Sequence, residues 1–109
     1  MTPSPEADGG VRDDLAGHRL VVEEVGALAE LVYDVSQPGR MVLVHTGVPK
    51  ELGGRGVGGR LVQAAVARAR AEHLTIVAQC PFARRWLEGH RDEVSGVDID
   101  WPPSPGGNT

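Results

Sequence analysis

Cysteine occurs once in this sequence, at Cys80, so no internal disulfide staples the fold. The four histidines are scattered without the close pairing that metal ligation requires, and no metal site is expected. No apolar run approaches the roughly 20 residues of a membrane-spanning helix. The opening M-T-P-S-P-E-A-D-G-G lacks the basic-then-apolar order of a secretory signal. These absences leave a soluble, cytoplasmic protein as the expectation, with no membrane partner. Long basic tracts are missing as well. The net charge is -4, but residues 1–14 hold four acids and one base and residues 91–109 the same, so residues 15–90 carry seven acids against nine bases. Those bases gather at Lys50, Arg55 and Arg60 and at Arg84-Arg85, which suits one polyanionic ligand and is too sparse for a nucleic-acid track.

What is present fits one domain with one modest core, at 109 residues and 40% hydrophobic. Residues 1–14 are rich in Pro, Gly and Asp and offer almost nothing to bury, so they read as disordered, with the folded domain over 15–90. Residues 91–109, acidic and rich in Pro and Gly, read as a mobile tail whose one large anchor is Trp101. Between them, His18–Glu24 and Ala27–Asp34 flank Gly26 as a hairpin, and Gln37-Pro38-Gly39 turns the chain into a third strand, Arg40–Thr46. Strict alternation on that strand puts Met41, Leu43 and His45 on one face and Val42, Val44 and Thr46 on the other. The spacing then predicts a helix over 56–72, with Leu61, Val62, Ala65, Val66 and Ala69 on one stripe. A buried strand over Leu74–Cys80 follows, parallel to the third, and Pro81 opens a short second helix over 82–89. The fold class is α/β of the α+β kind: an antiparallel β-meander, then a β-α-β unit and a short C-terminal helix.

Five glycines, Gly53, Gly54, Gly56, Gly58 and Gly59, crowd the join between the third strand and the long helix, at a density a packed element does not tolerate. Free N–H groups opening onto a helix N-terminus make a concave, positively polarised surface whose natural guest is a phosphate. A P-loop is excluded by Arg60 and Leu61, which stand where its lysine and its hydroxyl residue belong. Gly54, Gly56 and Gly59 satisfy G-x-G-x-x-G, yet a Pro-containing loop precedes them, the strands before it pair as hairpins, and no acid ends the next strand. The flanks carry more information. His45-Thr46, Val48-Pro49, Glu51-Leu52, Gly54-Arg55-Gly56-Val57-Gly58, Cys80-Pro81-Phe82, Trp86-Leu87 and His90 together resemble the small, single-domain branch of the GCN5-related N-acetyltransferases, over about Arg19 to His90.

That resemblance implies a minimal acetyltransferase fold, acetyl-CoA as donor, and N-acetyl transfer to an unidentified amine, a protein lysine among the options. The alternative is a CoA-binding or regulatory interaction module without significant turnover. The resemblance further implies that the CoA pyrophosphate lies on Gly53, Gly54, Arg55, Gly56, Val57, Gly58 and Gly59. The pantetheine arm would enter beside Thr46 and Val48, with Pro81, Phe82 and Trp86 lining the cofactor. His45 is the candidate general base, and Cys80 is either a proton donor or, by a second route, an acetylated intermediate. Cys80 stands at a strand end and a helix start near Arg84 and Arg85, a setting that favours thiolate; the opposing reading is a small buried hydrophobe. Two departures from the family pattern bear on the site. Gly53 takes a place where Gln or Arg is frequent, and Gly47, two residues after the histidine, takes one where small relatives often carry Glu. The elements that shape the acceptor pocket of larger members have no counterpart here, so an open site or a partner subunit is implied, in a monomer or weak homodimer.

Overall fold

The computed structural model describes residues 10–102. Six strands form one sheet in sequence order: β1 Arg12–Asp14, β2 Arg19–Glu24, β3 Ala27–Asp34, β4 Arg40–Gly47, β5 Thr75–Ala78 and β6 Ile99–Asp100. The first four make an antiparallel meander, and β5 and β6 continue the sheet parallel to β4. Helices α1 (Val57–Glu72) and α2 (Pro81–Gly89) form the two crossovers. Both crossovers step the same way across the sheet, so both helices arrive on the same face. There α1 lies over β2 and β3, and α2 over β4 and β5. Among the described residues no helix covers the opposite face.

The core follows from the pattern. The predicted stripe of α1 is buried, with Leu61, Val62, Ala65, Val66 and Ala69 each at most 3% exposed, against Leu20, Leu31, Tyr33, Met41, Leu43 and Ile76 of the sheet. Alanines at 64, 65 and 69 let the helix axis approach the strands closely while favouring helix. The N-cap, Gly56, sits in the left-handed region at φ 71°, and His73 closes the C-terminus at φ 58°.

Two segments read as disordered or mobile carry structure. The fold begins before the predicted start at residue 15: Arg12–Asp14 pair with β2 and Val11 is 1% exposed. Long-range polar contacts hold this strand. The Tyr33 hydroxyl donates to Asp13 Oδ1 at 2.6 Å, and Arg68 donates to Asp13 Oδ2 at 3.0 Å and to the Tyr33 oxygen at 2.7 Å. Burial, and then the bond to Asp13, push the Tyr33 hydroxyl up to about 12. At the other end, Arg91–Val94 form a 3-10 turn that buries Val94, and β6 covers the edge of β5. Trp101 docks between two guanidinium groups, 5.7 Å from Arg84 and 5.2 Å from Arg91. Residues 1–9 and 103–109 of those two expectations lie outside the described residues.

The third strand departs from strict alternation. In the β3–β4 ladder Tyr33 pairs with Leu43 but Val32 pairs with His45, so Val44 is an extra residue, a β-bulge. Beyond it the faces exchange. Thr46, opposite buried Leu31, turns to the helix-covered side, and His45 leaves the Met41–Leu43 row for the helix-free side. β5 is also shorter than expected, ending at Ala78, with Gln79 and Cys80 leading out to α2.

Candidate functional site

The parallel pairing of β4 with β5 stops at Leu43 and Ala78, and is closed by the Cys80 N–H donating to the Leu43 carbonyl at 2.8 Å. Past the bulge at Val44, residues 45–47 run on, paired with β3 alone, so their other edge faces an opening between β4 and the start of α2. Thr46 and Cys80 meet in this opening, Oγ1 to Sγ at 3.2 Å, with the thiol 2% exposed. Iodoacetamide is therefore expected to modify Cys80 slowly in the native protein and at full rate after denaturation, as mass spectrometry would show; rapid native labelling would mean that the opening breathes. Arg84 is directed elsewhere, to Glu88, the Pro102 carbonyl and Trp101.

Past β4 the chain makes a 3-10 turn at Lys50–Leu52 that buries Leu52, then enters the glycine turn. The glycines divide into two kinds. Gly54 and Gly56 have φ of 76° and 71°, and a Cβ on either would meet nothing within 4 Å, so they are required by conformation and border open space. Gly58 and Gly59 lie in the first turn of α1, where a Cβ would come within 2.5 Å of the Phe82 ring and 2.7 Å of Trp86 Nε1. These two permit α2's aromatics to rest on α1. The first-turn N–H groups of α1 have no helical partners, and no acid stands among them to offset the positive end of the helix.

A groove of about 480 Å³ runs from Val48 over Gly53, Gly54 and Gly56 to Gly59, and on between α1 and α2. Phe82 and Trp86 form one wall. Of the other expected cofactor residues, Val57 lies beneath the groove, Arg55 extends from the turn to 3.9 Å from Glu24, Thr46 sits in the strand opening, and Pro81 is exposed at the start of α2. His45 and Cys80 are not brought together, because the bulge at Val44 sends His45 to the other face of the sheet.

At the far end of the groove, sequence reasoning noted His90 without giving it a role and missed Gln63 and Glu93. His90 stacks on Trp86, with centroids 3.9 Å apart and planes at 10°, and its Nδ1 donates to the Trp86 carbonyl at 2.7 Å. Gln63 of α1 reaches Glu93 at 3.2 Å across that end. The four-residue spacing of Trp86 and His90 on a short helix was the available signal. Glu24, which accepts from Arg60 at 2.9 Å and so holds a base beside the turn, lies on a hairpin remote in sequence and gave none. Among the described residues no cluster of His, Cys, Asp or Glu is placed to hold a metal ion, and no helix is long and apolar enough to cross a membrane.

Comparison with known proteins agrees with this fold. A family model described as GCN5-related N-acetyl-transferase matches residues 18–97. The NMR solution structure of a GCN5-like protein from Staphylococcus aureus, a candidate N-acetyltransferase, superposes with a TM-score of 0.65 at 33% sequence identity, over 88% of this chain and 93% of that one. No curated protein matches the chain.

Proposed function

Because the chain belongs to the GCN5-related N-acetyltransferase family, we propose that it moves the acetyl group of acetyl-CoA onto an amine. One observation carries this reading: the free edge of β4 leads from the Thr46–Cys80 opening to Val48 and directly into the glycine turn. A long, thin ligand with a phosphate end fits such a path. The residues match its parts, since the turn offers open space and unpaired N–H groups, and residues 44–47 offer strand-edge donors and acceptors to an amide-bearing arm.

When bound, acetyl-CoA supplies a thioester carbonyl open to attack by an amine. The protein's part is to hold that carbon in the opening, take a proton from the amine and return one to the departing sulfur. With the faces exchanged at Val44, this reading divides the tasks between the two sides of the sheet. His45, exposed on the helix-free face, takes the amine proton from an acceptor approaching on that side. Thr46 and Cys80, hydrogen-bonded on the other side, stand where the sulfur leaves, and there Cys80 is a proton donor or positioning group. Direct attack needs no acetyl-cysteine, and the sealed thiol favours the direct route.

Isothermal titration with CoA, followed by acetyl-CoA consumption against a panel of amines and lysine peptides, tests the proposal. Binding and acceptor-dependent turnover are expected, and no CoA binding would sink it. A second reading, a CoA-binding or regulatory module, is favoured by the helix-free acceptor face and by glycine at position 47. Binding without turnover on any acceptor would establish that reading instead.

A further inference from the structure

On the helix-free face, two side chains flank Gly47. A methyl group placed on this glycine would lie 3.4 Å from His45 Nε2 and 3.9 Å from Glu30 Cγ. The register explains why: Glu30 is directly opposite Gly47 across the β3–β4 ladder, and Val32, two residues on, is opposite His45. Glu30 and His45 therefore project from neighbouring strands on either side of a gap that exists because residue 47 has no side chain. We propose that this gap receives the acceptor as an alkylammonium group, held by the Glu30 carboxylate and deprotonated by His45.

Charge supports the assignment. Arg19 donates to Glu30 Oε1 at 2.8 Å and to Asp14 Oδ2 at 3.1 Å, so two carboxylates share one guanidinium and this row keeps one negative charge in excess. Arg12 also acts on Asp14, and Glu23 lies farther along the same face, so Arg12, Asp14, Arg19, Glu23 and Glu30 together still sum to one negative charge. Asp14 is itself anchored: the Gly17 N–H, first, and Arg19, second, lower its carboxyl below the usual value. Arg19 is thereby a positioning residue. It fixes one Glu30 oxygen and leaves the other without a partner among the described residues. Half-buried Val32, next to Glu30 on this face of β3 and opposite His45, gives an apolar floor beside the gap, suited to the methylene stem of an alkylamine.

The proposal rests on the acetyl-transfer reading above, and its atoms balance. The ammonium gives one proton to His45; the freed nitrogen pair forms the C–N bond as the C–S bond breaks; the second nitrogen proton leaves to solvent as the departing thiolate is protonated. The products are the N-alkylacetamide, free CoA thiol and one proton.

Steady-state kinetics with acetyl-CoA and N-α-acetyl-lysine methylamide, alongside an aniline that is neutral at assay pH, provide the test. Glu30→Gln retains an oxygen for Arg19 but removes the charge. It should raise KM for the lysine derivative about 10-fold or more, the effect of one charge-assisted hydrogen bond. Neither kcat nor the CoA affinity should change much, and the aniline should be unaffected. Gly47→Val fills the gap, its Cβ lying 3.4 Å from His45 Nε2 and 3.9 Å from Glu30 Cγ. It should raise the lysine KM about 10-fold or more with the CoA affinity unchanged. This second variant decides the matter if Glu30→Gln does not fold. An unchanged lysine KM in Glu30→Gln, or in Gly47→Val, overturns the assignment while leaving acetyl transfer standing. A wild type that binds CoA without turning over either amine also overturns it, and one that binds no CoA removes the acetyl-transfer reading as well.

Discussion

Gly56→Glu is expected to reduce CoA affinity by about 100-fold or more while leaving the domain folded. Gly56 is the N-cap of α1 at φ 71°, bordering open space, so a side chain there meets no neighbour and the cost to the fold is backbone strain, about 1–2 kcal/mol. A carboxylate at this point bonds to the same first-turn N–H groups that a phosphate would use and cancels the positive end of the helix. Like-charge repulsion against the pyrophosphate in the groove adds to the loss. Gly56→Ala separates the two effects, because it carries the strain without the charge. Thermal unfolding should show similar destabilisation in both variants, and calorimetric titration should show most of the affinity loss in Gly56→Glu alone. Wild-type affinity in the charged variant would remove the turn from the site. Gly58→Glu tests something else, since its side chain would displace the Phe82 ring and deform the groove wall.

The glycine turn was legible because its signal is local: an apolar strand before it, a long amphipathic stripe after it, and residues between them that only an open backbone requires. The β2–β3 hairpin around Gly26 and the α1 stripe from Leu61 to Ala69 were legible for the same reason. What the sequence concealed depends on distant partners. Asp13 in an acidic, Pro/Gly-rich segment gives no sign of the Tyr33 and Arg68 side chains that hold β1 in place. Two residues of β6 are too short for any period to show, and Trp101 is anchored by arginines rather than by an apolar pattern. The bulge matters most for the chemistry. Alternation counts residues and cannot see that Val44 has no cross-strand partner, so it placed His45 on the Met41–Leu43 face and Thr46 opposite, the reverse of the structure. The same reasoning gave all the glycines one role and did not show that Gly58 and Gly59 also permit the contact of Phe82 and Trp86 with α1.

His45→Gln is expected to lower kcat by about 100-fold or more, within the range for a general base, with CoA affinity unchanged. The two quantities separate because of the bulge. Reversal of the faces at Val44 leaves His45 projecting from the helix-free side, away from the groove and from the Thr46–Cys80 contact, so its removal does not disturb a donor lying along the β4 edge. It is exposed, so glutamine at this position costs little stability. Thr46→Val is the complementary variant. It breaks the Oγ1–Sγ bond on the helix-covered side, where the proposal puts the departing sulfur, and should lower kcat less, because Cys80 itself is retained. A single-turnover experiment, with acetyl-CoA bound and the amine in excess, reads the chemical step directly. Wild-type single-turnover rates in His45→Gln would show that the amine reaches the thioester already deprotonated, and would leave His45 no part in the reaction. A large loss in Thr46→Val with little in His45→Gln would reverse the assignment of the two faces.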